Sequence, residues 1–341
     1  MASGIDLEAL GEFGLIGTLR RRAREPGGAW IRAIGDDAAV LRPPRGKDLV
    51  WTVDALVEDV HFRWDTTDAR SLGHKALAVN LSDLNAMGAD PLGFLLTLAV
   101  PGGTEPARLD GFLRGLLAEA RTHGCPLVGG DTVSAPLWSL SLSAVGSVPR
   151  GRALRRGGAR AGDRVMVTGS LGGAALGLEL LEAGRGSEPG ERAFARRQLR
   201  PRPPLQVGPR LARAGLATAA VDLSDGLQRD LGHILEESGL GGELWLDALP
   251  LPRGLVEKSA ELGLDPDWLA VAGGEDYELL FAVGSSAPRA GVLARRLGCR
   301  VTEVGVLRRG RGLRLTRAGA GVQGALSGYE HFKTPGKRSE Q

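Results

Sequence analysis

The chain has 341 residues, of which 43% are hydrophobic and 24% are charged, and its formal net charge is +3 at pH 7. This length allows two domains or one large domain, and the ordinary hydrophobic content excludes a mainly disordered protein. The longest apolar run, residues 91–101 (PLGFLLTLAVP), is far shorter than the roughly 20 residues of a membrane-spanning helix. We therefore expect no membrane partner.

The cysteines and basic residues exclude further classes of site and partner. Cys125 and Cys299 are the two cysteines and form no CxxC pair, which excludes thiolate metal sites and a disulfide framework as organising features. No basic segment followed by an apolar block opens the chain, so the cytoplasm is the expected compartment. The arginines are dispersed without interleaved aromatic residues, which predicts solvated basic faces and no nucleic-acid partner.

Hydrophobic periodicity predicts a mixture of helices and strands in the first part of the chain. Predicted helices cover residues 6–24, 72–87 and 109–123, and predicted strands cover residues 34–41, 49–53, 93–100, 127–130 and 138–148. Strands that alternate in the antiparallel manner favour an α+β fold over a Rossmann-type parallel sheet.

A second unit is predicted to begin near Gly151, which divides the chain into domains at residues 1–150 and 151–341. Its predicted strands cover residues 164–168, 219–223 and the second half of 273–283, and its predicted helices cover residues 172–182 and 227–237. The segment 195–214 is basic and interrupted by prolines, and the tail after residue 310 is predicted to form short strands and loops.

Aspartates recur at the ends of predicted strands, beside small residues. They occur in Gly35-Asp36-Asp37-Ala38, Val53-Asp54-Ala55, Gly130-Asp131-Thr132, Asp222-Leu223-Ser224-Asp225-Gly226 and Gly273-Gly274-Glu275-Asp276. Such positions bring a carboxylate to the rim of a sheet and leave room for a ligand against the backbone. Within the predicted helix 72–87, Asn80 and Asp83 share one face.

Aspartates that gather in one site need cations or protons, because two unit charges about 4 Å apart repel by about 4 kcal/mol at an effective dielectric of about 20. Oxygen ligands without a His or Cys cluster select Mg²⁺ or Mn²⁺, and Mg²⁺ commonly bridges carboxylates to substrate phosphates. The residues therefore indicate a phosphoryl-transfer or nucleotide site with several Mg²⁺ ions. Each segment alone also has a structural explanation, as a turn or as the cap of the helix that begins at Leu227.

Several common nucleotide and hydrolase motifs are absent from the sequence. There is no GxxxxGK[ST] segment, no HRD or DFG pair and no GxSxG segment, and residues 172–177 (GGAALG) fail GxGxxG at the third glycine. A phosphoryl-transfer enzyme with this sequence must therefore use an unusual nucleotide-binding fold.

Ordered motifs along nearly the whole chain resemble the thiamine-monophosphate kinase family. The motifs are GEFGLI (11–16), IGDDAAVL (34–41), VDALVEDVHF (53–62), KALAVNLSDLNAMGADP (75–91), VGGDT (128–132), VDLSDGLQRDLGHI (221–234), GGEDYELLF (273–281) and GYEHF (328–332). The resemblance implies ATP-dependent phosphorylation of thiamine monophosphate to thiamine diphosphate. It also implies the two-domain fold shared with aminoimidazole ribonucleotide synthetase, in which the N-terminal sheets of a homodimer form a barrel and the nucleotide lies between the domains.

The resemblance also implies roles for individual residues. The implied Mg²⁺ ligands are Asp37, Asp54, Asp83, Asp131, Asp222 and Asp225, and the implied ATP contacts are Thr52, Gly130, Asp131, Arg156 and Ser224. The implied thiamine phosphate contacts are His61, Glu275 and Tyr329, and the catalytic set is Asp37, Asp54, Asp131, Asp225 and Arg156.

At two positions the sequence departs from the family pattern. Val53 replaces the usual hydroxyl residue, so only its backbone carbonyl is left as a metal contact there. Leu113 replaces an aromatic residue that some relatives place near adenine.

Two alternative functions remain open from the sequence. The first is another ATP-dependent enzyme of the same superfamily, such as aminoimidazole ribonucleotide synthetase. Selenophosphate synthetase is disfavoured, because that enzyme has a reactive Cys and Lys near the N-terminus, whereas the first of each here are Cys125 and Lys47. The second alternative is a non-enzymatic, anion-binding protein, whose binding would weaken steeply with salt.

Overall fold

The computed structural model describes residues 7–23 and 27–322 of the chain. The elements of the N-terminal half (residues 7–149) are α1 Leu7–Ala23, β1 Trp30–Arg32, β2 Val40–Leu41, β3 Lys47–Val57, α2 Ala69–Ala86, β4 Asp90–Val100, α3 Pro106–Thr122, β5 Leu127–Ser134 and β6 Ser139–Pro149. The elements of the C-terminal half (residues 150–322) are β7 Arg164–Thr168, α4 Gly173–Glu182, α5 Arg192–Leu199, α6 Val207–Ala214, β8 Ala217–Asp222, α7 Leu227–Ser238, β9 Gly241–Trp245, α8 Leu255–Glu261, α9 Pro266–Val271, β10 Leu279–Val283, α10 Ala290–Leu297, β11 Val301–Arg308, β12 Leu313–Arg317 and β13 Ala320–Gly321.

The N-terminal half contains a four-stranded sheet with the order β3-β6-β4-β5. The three pairings are antiparallel except that of β4 with β5. Strand β3 alternates strictly, because Val50, Thr52 and Asp54 point inward whereas Trp51 and Val53 point outward. The outward pair is 64% and 63% exposed. One face of the sheet therefore belongs to the core, and the other is open and partly apolar.

The C-terminal half contains a seven-stranded sheet with the order β13-β12-β9-β11-β7-β10-β8. It is antiparallel except where β12 pairs with β9. Strand β10 (LLFAV), between β7 and β8, is buried throughout, as a continuous apolar run predicts. Helices and antiparallel strands occur in both halves, which confirms the α+β prediction.

Helix α2 joins the two halves. It packs against α3 and the four-stranded sheet, and it also contacts β8 of the C-terminal half. One apolar cluster consequently runs through both halves, from Leu77 of α2 to Met166 and Phe281 of the second sheet. The residues of α2 thus lie at the seam between the halves.

The structure corrects one predicted strand. Residues 34–38 form a bend, and only Val40–Leu41 of the predicted strand 34–41 pairs with another strand. Gly35 has a φ of 113°, a left-handed conformation that breaks an extended strand. The basic segment 195–214, which prolines interrupt, contains the end of α5 and all of α6. None of the helices in the described part of the chain has the length and apolar character needed to span a bilayer.

Glycines allow α2 and α3 to pack with their backbones close together. A Cβ atom on Gly73 of α2 would lie 2.0 Å from the carbonyl oxygen of Phe112, and one on Gly115 of α3 would lie 2.0 Å from that of Arg70. Both neighbours are backbone atoms that cannot rotate away, so the packing requires glycine at both positions.

We predict that Gly73→Ala lowers the free energy of unfolding by about 1–3 kcal/mol, because the methyl group overpacks a rigid helix pair. Gly232→Ala is the matched control, since Gly232 also lies within a helix but has no atom within 4 Å of an added Cβ. Gly232→Ala should raise the free energy of unfolding by about 0.5–1 kcal/mol, because alanine favours a helix more than glycine does. Chemical denaturation measures both, and equal effects would contradict the close packing of α2 and α3.

Candidate active site

Three carboxylates from separate elements meet at the seam and form the acidic cluster, Asp54, Asp83 and Asp222. Asp54 comes from the inner face of β3, Asp83 from α2 and Asp222 from the end of β8. The Thr52 hydroxyl donates a hydrogen bond to Asp83 Oδ2 at 2.5 Å, and the Ser82 hydroxyl donates to Asp222 Oδ2 at 2.8 Å. Asp54 and Asp83 are also joined by a side-chain hydrogen bond.

Burial dominates the electrostatics of the acidic cluster. Burial, followed by the charges of Asp83 and Asp222, raises the pKa of Asp54 to about 7. Burial and the charge of Asp83 raise the pKa of Asp222 to about 7, against the opposing effects of Ser82 and Arg156. Burial also raises the pKa of Asp83. Charging all three carboxylates together therefore costs free energy, and a bound cation would offset that cost.

The acidic cluster fits the donor set that Mg²⁺ prefers. It supplies several hard oxygen ligands and no thiolate. Burial and neighbouring negative charge raise the pKa values of Asp54 and Asp222, and a divalent cation would neutralise that charge. Two hydroxyl oxygens, those of Thr52 and Ser82, lie against the same carboxylates. The residues present therefore suit a magnesium site.

A second group of possible ligands lies at the start of α7. Ligand atoms of Asp225, Asp230 and His233 all lie within 4.8 Å of one another. The Asp230 carboxylate accepts hydrogen bonds from the backbone N–H groups of Asp225 and Gly226, at 3.1 and 3.2 Å, and burial raises its pKa to about 8. Asp225 is half-buried, and its Oδ2 atom lies 3.4 Å from Nε of Arg229. Asp230 thus organises the turn, and the side chain of Asp225 is 34% exposed.

A cleft of about 690 Å³ opens beside the acidic cluster, between the two halves. Its lining includes Thr52, Asp83 and Asp222, the apolar residues Val50 and Met87, and the segment 155–158. The charge of Arg156 in that segment opposes the rise in the pKa of both Asp83 and Asp222. Its guanidinium group therefore lies close enough to the acidic cluster to interact with it electrostatically. The cleft therefore combines a cationic side, an acidic side and an apolar surface, as a nucleotide with its metal requires.

The loop 273–278 has a strained backbone that several hydrogen bonds hold in place. Glu275 and Tyr277 have φ values of 65° and 49°, in the left-handed region. Their N–H groups donate to the carbonyl oxygens of Ser224 and Leu223, each at 2.8 Å. Asp276 is anchored independently, because its carboxylate accepts hydrogen bonds from two backbone N–H groups at the start of α4. This bonding fixes Glu275 and Ser224 beside each other.

Glu275 also has two side-chain partners that the sequence analysis missed. Lys75 Nζ of α2 lies 2.6 Å from Glu275 Oε1, and Gln198 Nε2 of α5 donates to Glu275 Oε2. The signal for Lys75 was a single cation within an otherwise apolar stretch of helix. Gln198 had no comparable signal, because α5 is polar and its contact with Glu275 is long-range.

The structure does not bring Asp37 and Asp131 to the acidic cluster of the same chain. Asp37 is exposed in the bend between β1 and β2. Asp131 is also exposed, and it pairs in register with Thr97 on the outer face of the four-stranded sheet, whereas Asp54 is on the inner face. Gly130 lies so close to β4 that an added Cβ would be 1.9 Å from the carbonyl oxygen of Leu96.

The other predicted residues are distributed as follows. The His61 ring lies in the turn after β3, where Nδ1 accepts a hydrogen bond from the N–H of Val57 at 3.1 Å. The Val53 side chain is on the outer face of the sheet, and Leu113 is buried in the core of the N-terminal half. Tyr329 lies outside the described residues.

Comparisons with known proteins identify the family. The family model for AIR synthase related protein, N-terminal domain, matches residues 35–148, and that for the C-terminal domain matches residues 160–317. The chain belongs to the AIR synthase related family. It is 41% identical over 331 residues to thiamine-monophosphate kinase from Salmonella typhimurium, covering 96% of this chain and 100% of the relative.

Solved structures agree with these relatives. The crystal structure of thiamine-monophosphate kinase from Stenotrophomonas maltophilia is 40% identical with a TM-score of 0.81, covering 90% of this chain and 96% of that one. AaThiL complexed with AMPPCP and TMP is 33% identical with a TM-score of 0.75, covering 96% and 99%. These similarities confirm the resemblance to the thiamine-monophosphate kinase family.

We predict that the metal-free protein loses stability as the pH rises from about 5 to about 8, and that Mg²⁺ restores it mainly at the higher pH. The folded-state pKa values of Asp54 and Asp222, about 7, lie above the ordinary value of 3.8. The stability from their neutral forms is therefore complete below the ordinary value and is lost as the pH passes through the folded value. Thermal unfolding with and without MgCl₂ measures both effects.

Asp54→Asn imitates the protonated side chain and tests the same prediction. At about pH 8 it should raise the unfolding midpoint of the metal-free protein and reduce the gain from Mg²⁺. Asp65→Asn is the control, because Asp65 is an exposed carboxylate that pairs with Arg63 at 3.3 Å. Unchanged stabilisation by Mg²⁺ in Asp54→Asn would remove Asp54 from the metal site.

Proposed function

We propose that the protein transfers the γ-phosphoryl group of ATP to thiamine monophosphate, which yields thiamine diphosphate and ADP in the last step of thiamine diphosphate biosynthesis. The observation that carries the proposal is the acidic cluster beside the cleft between the halves, where burial raises the pKa of all three carboxylates and repulsion adds to the rise for Asp54 and Asp222. Relatives named thiamine-monophosphate kinase over 96% of the chain support the choice of substrates.

The proposed mechanism is direct in-line transfer. An oxygen of the thiamine monophosphate phosphate forms a bond to the γ-phosphorus, while the bond from that phosphorus to the β,γ-bridging oxygen breaks and ADP leaves. The second pKa of a phosphate monoester is about 6, so the attacking oxygen is already ionised near neutral pH and needs no general base. The main obstacle is repulsion between two polyanions, so catalysis depends on position and on positive charge.

The proposed roles of the residues follow from this obstacle. Mg²⁺ ions, when bound, would neutralise the phosphate charge, and their proposed ligands are the acidic cluster with Asp225, Asp37 and Asp131, together with the Val53 carbonyl. Arg156 would offset the charge of the ATP phosphates, which Thr52, Ser224 and Gly130 would also contact. His61, Glu275 and Tyr329 would bind thiamine monophosphate. Cytoplasm stays the expected compartment, and the domain boundary near residue 150 stays a prediction.

A homodimer is part of the proposal, and the open face of the four-stranded sheet supports it. Trp51 and Val53 are well exposed there, and Val133 adds to the same apolar face. Strands β3 and β5 are the two edges of this sheet. If a twofold axis runs parallel to the strands, face-to-face sheets form a barrel in which β5 of one copy faces β3 of the other. Asp131 would then complete the site beside the partner copy's cleft.

We predict ADP release with ATP, Mg²⁺ and thiamine monophosphate, and none with free thiamine, which lacks the attacking phosphate. Asp225→Asn should lower turnover by about 100-fold or more while the unfolding midpoint stays close to that of the unsubstituted protein. A coupled assay for ADP measures turnover, and Asp65→Asn again serves as the surface control. Near-normal activity of Asp225→Asn would reject the assigned site.

The same assay separates the alternative functions. ADP release with formylglycinamidine ribonucleotide instead of thiamine monophosphate would indicate aminoimidazole ribonucleotide synthesis. Nucleic-acid affinity that falls steeply with salt, without ATP turnover, would indicate the anion-binding alternative.

We predict that two inactive variants restore activity when their subunits are mixed. Asp54→Asn and Asp131→Asn homodimers should each be inactive, because every site lacks one carboxylate. A heterodimer has one site with both substitutions and one intact site, so random exchange should return about one quarter of the activity of the unsubstituted protein. The assay follows refolding of a denatured equimolar mixture. No recovery despite demonstrated heterodimers would show that both carboxylates act within one chain.

A further inference from the structure

A cation is buried at the seam next to Glu275. Lys75 of α2 is 4% exposed, and its ammonium group lies 2.6 Å from Glu275 Oε1. Burial of an ammonium group is costly unless a carboxylate pairs with it. The pair joins the two halves, because Lys75 belongs to the N-terminal half and Glu275 to the C-terminal half. This buried ion pair therefore forms only when the halves are docked.

Gln198 completes the arrangement from a third direction. It is 6% exposed, and its Nε2 atom donates a hydrogen bond to Glu275 Oε2. Its own Oε1 atom is buried without a hydrogen-bond partner among the described residues. A buried amide oxygen without a hydrogen-bond donor costs free energy. The structure accepts this cost at Gln198 and keeps the hydrogen bond that orients Glu275.

Glu275 itself is the accessible member of this group. Its side chain is 30% exposed, against 5% for that of Lys75. Burial raises the pKa of Tyr277, and the charges of Glu275 and of the acidic cluster add to that rise, so Glu275 and the acidic cluster both lie near Tyr277. A ligand in that region meets the carboxylate of Glu275 and not the ammonium group of Lys75.

We infer that Lys75 and Gln198 are positioning residues that hold the Glu275 carboxylate as a fixed hydrogen-bond acceptor for the amino group of the substrate's pyrimidine ring. The inference rests on the proposed function. Because Lys75 already balances the charge of Glu275, the ion pair presents little net negative charge to a substrate. It presents the lone pairs of the carboxylate oxygens, which accept hydrogen bonds in defined directions. It therefore selects an N–H donor, whereas an unpaired carboxylate would attract the thiazolium cation as well.

The strained backbone reinforces this positioning. Glu275 has its φ of 65° fixed by the N–H hydrogen bond to Ser224, and both carboxylate oxygens have partners. Such a side chain has little rotamer freedom left to lose when the substrate binds. Without Lys75 or Gln198 the carboxylate could rotate, so substrate binding would weaken more than the chemical step.

The test compares Lys75→Met and Gln198→Met, which keep most of the side-chain volume, with Lys75→Arg, which keeps the charge. For Lys75→Met and Gln198→Met we expect the KM for thiamine monophosphate to rise about tenfold, the KM for ATP to stay within about twofold, and kcat to fall less than tenfold. Lys75→Arg should recover part of the loss. Lys258→Met is the matched control, because Lys258 makes a surface ion pair with Glu261 at 2.8 Å.

A substrate analogue provides a second readout that a purely structural role would not change. In oxythiamine monophosphate an oxygen replaces the pyrimidine amino group. The unsubstituted protein should discriminate against this analogue by about tenfold or more in kcat/KM, and Lys75→Met should discriminate distinctly less. Equal discrimination by both proteins would overturn the inference.

Other outcomes are equally decisive. An unchanged KM for thiamine monophosphate in Lys75→Met, or equal increases in both KM values, would show that the ion pair only stabilises the fold. If Lys75→Met does not fold, Gln198→Met carries the same test. If the unsubstituted protein itself fails to phosphorylate thiamine monophosphate, the proposed function is rejected, which is distinct from normal turnover with unaffected variants.

Discussion

The site depends on the repulsion between carboxylates that the fold buries at the seam between its two halves. Asp54, Asp83 and Asp222 come from a strand, a helix and a second strand, and none of them is near another in sequence. Burial disfavours their charged forms and raises their pKa values, and protons or bound cations relieve this cost. The acidic cluster therefore attracts cations. Substrate phosphates that bind to those cations would lie between the two halves.

Helix α2 links this electrostatic constraint to substrate recognition. Lys75 and Asp83 lie eight residues apart on it, a distance of about 12 Å along the axis at about 1.5 Å per residue. The helix thus fixes the separation between the Glu275 region and the acidic cluster. The close packing against α3 through Gly73 and Gly115 makes this scaffold rigid. A change in helix packing would therefore alter both ends of the site together.

The sequence predicted most elements and the chemical character of the site, because periodicity and short carboxylate segments are local signals. It did not predict the bend at Gly35, where a left-handed glycine overrides an apolar strand pattern. It also missed Lys75, Gln198 and Asp230, whose roles come from contacts that only folding creates. Asp54 and Asp131 occur in similar local segments, yet they face opposite sides of one sheet, and only the pairing register decides this.

The alternation of β3 has a consequence for how the molecule can evolve. Thr52 and Asp54 point inward, where Asp54 is part of the acidic cluster. Their immediate neighbours Trp51 and Val53 point outward and contribute to the open apolar face. A slip of the strand by one residue would turn the hydroxyl and the carboxylate to the outside and force an indole into the core. An insertion or deletion of one residue within β3 would therefore disrupt the acidic cluster and the core together, whereas the turns on either side of the strand are free of this constraint.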